Sequence, residues 1–68
     1  MTELLFVVEE QDDGGFLASA VGASIVTQAE MLEELRAMVR DAAACHFDEA
    51  DRPRMIRLHS VRDEVIAA

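Results

Sequence analysis

Lysine is absent from this chain of 68 residues, and its positive side chains are six arginines set against fourteen Asp and Glu. A formal net charge of −8 on so small a surface repels phosphate backbones and anionic lipid. That argues against direct binding of nucleic acid or of a membrane surface. A basic protein would instead be attracted and steered toward the chain, although the same acidity also serves to keep a small protein in solution.

Cysteine is scarce as well. Cys45 stands alone, so no disulfide can staple a monomer, and a lone thiol fits a reducing cytoplasm. Long apolar runs are missing: Leu4 to Val8 and Ala42 to Cys45 fall far short of a membrane span. Glu3 stands where a secretory signal would carry basic residues. The expected location is cytoplasmic.

What is present is an excess of apolar residues, 51% of the chain. Residues 1–68 make one domain, near the lower size limit at which a core holds itself together. The composition is too rich in Leu, Val and Ile for disorder. Apolar surface that so small a core cannot hide points to self-association as a dimer or tetramer.

Leu4, Leu5, Phe6, Val7 and Val8 run without alternation, and Gln11-Asp12-Asp13-Gly14-Gly15 follows. Run length and the turn cluster behind it predict a strand over 3–10 that ends in a glycine hairpin with positive φ. Phe16 to Val21 forms the return strand, Gly22-Ala23 turns again, and Ser24 to Gln28 gives a third strand on β-branched Ile25, Val26 and Thr27. Leu32, Leu35, Val39, Ala42 and His46 then fall at helical spacing, predicting a buried face on a helix over about 31–47. Its start is open between Thr27, in a capping box with Glu30, and a cap at Glu30 or Met31.

Asp48 to Pro53 reads as a polar loop, since Pro53 disfavours helix through Arg52. Arg54 to Val61 alternates, with Ile56 and Leu58 one way and Arg57 and His59 the other, as a half-buried strand does. Residues 62–68 extend that strand or form a helical turn capped by Ser60 with Asp63. The sum is an α+β chain of order β-β-β-α-β: a four-stranded sheet with one helix packed on one face. Right-handed crossover sterics place the last strand parallel to the first and beside it. The uncovered face carries either Leu4, Phe6 and Val8 or Leu5 and Val7, and an apolar uncovered face is an interface.

Gly15-Phe16 at the hairpin exit, Val26-Thr27-Gln28 before the helix and Leu32-Glu33-Glu34 at its start resemble the HicB-like antitoxin domains. The resemblance runs over nearly the whole chain and implies a truncated ribonuclease-H-like fold. It departs at Val21-Gly22-Ala23, where common members carry a Pro-Asp-x-Pro-Gly turn, and at Ala29 and Met31. Most full-length members continue into a DNA-binding segment with no counterpart within residues 1–68, so DNA binding is not part of what the resemblance implies here. A short stand-alone subgroup carrying Cys45-His46-Phe47 and Arg57-Leu58-His59 is the nearer likeness. The function implied is that of a non-enzymatic module that neutralises a small basic HicA-like toxin; the competing expectation is a homo-oligomeric accessory or structural protein.

A ribonuclease-H nuclease places an Asp mid-way along its first strand, where this chain has Phe6-Val7, so two-metal phosphoryl transfer lacks its ligands. Cys45 and His46, with His59, could suggest zinc or a thiol nucleophile, but Cys45 and His46 are adjacent on a helix and point about 100° apart, so they do not readily share a metal; a buried helix-face cysteine and a packing histidine are the expected roles. Asp48, Glu49 and Asp51 lack the glycine-centred spacing of a calcium loop and read as a solvated turn. Gly14-Gly15 is followed by no helix and makes no phosphate cradle. No enzyme activity, metal or cofactor is expected. The candidate site is a partner interface of Met55, Arg57 and His59 on the last strand with Leu5 and Val7 on the first, suited to strand addition at an exposed edge.

Overall fold

A computed structural model describes residues 2–68. The elements are β1 (Glu3–Glu10), β2 (Phe16–Ala20), β3 (Val26–Ala29), α1 (Leu32–His46) and β4 (Met55–Val61). The four strands form one mixed sheet in the order β3-β2-β1-β4, with β1 antiparallel to β2 and parallel to β4. The expected α+β order and the parallel placement of the last strand beside the first are what the structure has.

The unalternating run of β1 resolves into two rows. Leu4, Phe6 and Val8 are buried, while Leu5 and Val7 are half-buried on the other face. Ala18, Ile25, Ala29, Leu35, Val39 and Ala43 complete the core. No polar side chain is buried among the described residues.

The hairpin after β1 is closed by Gln11 N–H donating to the Gly15 carbonyl at 2.7 Å and Gly14 N–H donating to the Gln11 carbonyl at 2.9 Å. Gly14 takes φ +89°, a region costly for residues with a Cβ. Gly15 does not share that positive φ, contrary to the expectation for the pair. It serves by close approach: a Cβ there would stand 3.2 Å from the Ala29 carbonyl oxygen, so the hairpin exit packs against the end of β3.

Element boundaries differ from expectation in β2, β3 and β4, the last of which starts at Met55 rather than Arg54. Val21 falls outside β2, and β3 runs later than predicted, with Ser24 and Ile25 before it and Ala29 inside it. Ile25 instead turns into the core at 7% exposure, and its carbonyl accepts from Ala20 N–H at 2.9 Å. Phe16 pairs with Ala29, which carries the β2–β3 ladder one residue further. The tail 62–68 is neither strand nor helix.

Met31 is the N-cap of α1, with no side-chain hydrogen bond, while Thr27 belongs to β3; the capping box does not form. Glu33 and Glu34 in the first turn meet the helix dipole instead. The buried stripe is Leu35, Val39 and Ala43, spaced by four. Leu32, His46 and Cys45 are exposed and Ala42 is half-buried. The stripe is narrow because α1 lies over β3 and β2 rather than across the whole sheet. Ile56 and Leu58 of β4 are therefore only half-covered.

Candidate functional site

Strand register places the predicted interface residues on one surface. In the parallel β1–β4 pair, Glu3 stands opposite Met55, Leu5 opposite Arg57 and Val7 opposite His59. Side chains alternate along strands, so all of them point away from the face that holds Phe6 and Leu58 under the helix side. Val7 also pairs with Ser19 on β2, and Ser19 with Val26 on β3. One row of the open face thus reads Val26, Ser19, Val7, His59, and its neighbour reads Gln28, Leu17, Glu9, Val61.

The centre of this surface is apolar and incompletely covered. Leu5, Val7 and Leu17 are half-buried by their neighbours alone, and Met55 and Val26 are 65% and 67% exposed. Val21 and Val61 add to the exposed aliphatic area. The pattern of the sequence foretold the row on β4 and left that on β1 open between two. It missed Val26 and Leu17, whose place on the face follows only from the register of β2 and β3, and exposed Val21 just past the end of β2.

Arg57 is held by Glu3, which accepts from its Nε. That hydrogen bond first, and the carboxylate charge second, raise the guanidinium pKa above its already high ordinary value. Arg57, charged at any ordinary pH, is aligned by this bond along the rim of the face. β4 is an edge strand, so its outer backbone groups are unpaired by any strand. The face therefore offers an apolar centre, a fixed cation and a free edge. Among the described residues, no three His, Cys, Asp or Glu side chains gather as a metal site. Cys45 and His46 end the helix, whereas His59 lies on the opposite side of the sheet.

Acidic residues concentrate where the hairpin meets the helix start. Asp13, Glu30 and Glu34 line a shallow depression beside Gly15 and Gln28. Glu9, Glu10 and Asp12 stand on the adjacent strand end and turn. Among the described residues, no helix is long and apolar enough to cross a membrane.

The chain is 56% identical over 52 residues to a UPF0150 protein of Archaeoglobus fulgidus, an overlap of 76% of this chain and 77% of that protein. It is 40% identical over 65 residues to a UPF0150 protein of Thermotoga maritima, covering 96% of this chain and 91% of that one. No family model matches the chain. No solved structure matches it.

Proposed function

The chain belongs to the UPF0150 family of small proteins, and we propose that it is a non-catalytic, cytoplasmic binding module of the HicB-like antitoxin type that occludes a small basic toxin. The observation that carries this reading is the open sheet face, where Leu5 and Val7 make an apolar centre beside Met55, Arg57 and His59 along a free edge strand. Contiguous apolar surface of this kind is a mark of interfaces. The net charge of −8 supplies the long-range attraction that a basic partner would feel.

Two further features support the antitoxin reading over a nuclease. The sheet order β3-β2-β1-β4, with a helical crossover to a parallel β4, suits a truncated ribonuclease-H-like fold. The mid-strand position that a nuclease fills with Asp is occupied by core Phe6 and outward Val7. A second reading is a homo-oligomeric structural protein in which two open faces cover each other. The exposure of Val26 on β3, the edge strand opposite β4, and of Val21 just past β2 favours it.

Co-expression with a matched basic toxin separates the readings. Loss of the toxin's RNA-cleaving activity, restored by Leu5→Asp in this chain, supports occlusion. Undiminished toxin activity beside a stable homo-oligomer supports the structural reading.

A further inference from the structure

On the helix side of the sheet, opposite the face just described, α1 and β4 leave a groove of about 490 Å³. Val39 and Ala43 of the helix and Ile56 and Leu58 of the strand form its apolar walls, while Arg36, Arg40, Arg52 and Arg54 stand around it. Four of the six arginines of a strongly acidic chain thus share one site. Among the described residues the ion pairs are Glu3–Arg57 and Glu10–Arg62, so none of the four has a carboxylate partner. Arg52 donates to the Ala44 carbonyl at 3.2 Å, which fixes it at the end of the groove.

The groove calls for an occupant that is acidic and aliphatic together. Asp63-Glu64-Val65-Ile66 is the one place in the sequence where two acids directly precede two large aliphatics. Val65 and Ile66 are 96% and 79% exposed, beyond the end of β4. We propose that the groove between α1 and β4 receives the 62–68 segment of a second copy of this chain.

Dimensions agree. From Arg36 to Ala44 the helix rises about 12 Å, and four extended residues span about 13–14 Å. The segment does not lie in its own groove, since no residue of 62–68 lines it. It continues away from the sheet: the molecule measures 52 × 19 × 17 Å. A strand the length of β1 accounts for about 26 Å of the long axis, and seven extended residues for about 25 Å more. The radius of gyration is 13.3 Å, where a compact chain of this length has about 11 Å. Between Ser60 and Ala68 there is no glycine or proline, the strongest breaks in a chain's course, and residues 62–68 form no turn. Reciprocal exchange puts both segments into both grooves and closes a two-fold dimer. This contact lies on the other side of the sheet from the proposed toxin-binding face, so the two stand or fall separately.

Charge exchange on the full chain tests the proposal by sedimentation velocity at micromolar concentration. One variant carries Arg40→Glu and Arg54→Glu, the other Asp63→Arg and Glu64→Arg. All four positions are exposed, and circular dichroism checks that each variant is folded. Each alone is expected to weaken self-association by about tenfold or more, because like charges then meet. An equimolar mixture of the two regains it as a mixed dimer, since wild-type segment meets wild-type groove and reversed segment meets reversed groove. Val65→Asp with Ile66→Asp weakens it by about a hundredfold. A monomeric parent chain, single reversals that associate as the parent does, or a mixture that stays monomeric would overturn the proposal. Rescue confined to a chain carrying all four reversals would also overturn it, as the sign of a segment docked in its own groove.

Discussion

Leu5 and Arg57 stand directly opposite each other in the parallel β1–β4 pair, on the sheet face that α1 leaves open. One residue further along both strands, Phe6 and Leu58 face each other on the helix side. Adjacent residues on one strand therefore belong to different parts of the protein's behaviour: Phe6 is fully buried, whereas Leu5 is half-exposed.

That division predicts opposite outcomes from neighbouring substitutions. Phe6→Ala removes the largest core side chain at a cost of about 3–5 kcal/mol. Small domains hold about 5 kcal/mol or little more, so urea titration followed by circular dichroism should find Phe6→Ala largely unfolded. Leu5→Asp should keep the parent's spectrum and a cooperative transition, while losing the contacts of the open face. A Leu5→Asp chain that unfolds outright would place Leu5 in the core instead.

The hairpin offers a second test, because its two glycines are required for different reasons. Gly14→Ala puts a side chain at φ +89° and should lower stability by about 1–2 kcal/mol. Gly14→Asn should recover part of that, since asparagine visits the left-handed region more readily. Gly15→Asn should show no such relief over Gly15→Ala, as any Cβ there meets the Ala29 carbonyl at 3.2 Å. Thermal melting of the four variants reads the difference.

Much of this architecture was legible in the sequence, and the unreadable parts have physical causes. The run from Leu4 to Val8 is apolar at every position, so alternation carried no information about which row the helix covers. Ala42, Ala43 and Ala44 are interchangeable to a periodicity argument, and only the seating of α1 over β3 and β2 selects Ala43. Ile25 has the residue type of a strand, yet it serves as a core plug before one, because Gly22 at φ +85° turns the chain and aims it inward. The row of Met55, Arg57 and His59 could be read because β4 does alternate. Its continuation through Ser19 to Val26 depends on cross-strand register, which no local pattern encodes.

The Glu3–Arg57 pair is exposed, and exposed pairs add little to stability. Arg57→Ala should leave the melting temperature unchanged within error. Its effect should show in partner affinity, through loss of a fixed cation on the rim of the open face. His59→Ala should behave likewise. A large drop in melting temperature for either would assign these residues to the fold rather than to binding.

Salt should act on the rate of encounter more than on the lifetime of the complex. The attraction between a chain of net charge −8 and a basic partner is long-ranged, and it is screened beyond about 8 Å at physiological ionic strength. Surface plasmon resonance across a salt series should show association slowing by about tenfold or more, with dissociation nearly constant. Dissociation that accelerates in step would mean that the contact itself is mainly ionic.

The most direct measurement of the central claim is the RNA-cleaving activity of the matched basic toxin, titrated with the purified chain and, in parallel, with its folded Leu5→Asp variant. The account predicts that activity falls to zero at a fixed stoichiometry with the parent chain and persists with the variant. Activity that survives a saturating excess of the parent chain, or that both chains abolish equally, would contradict it.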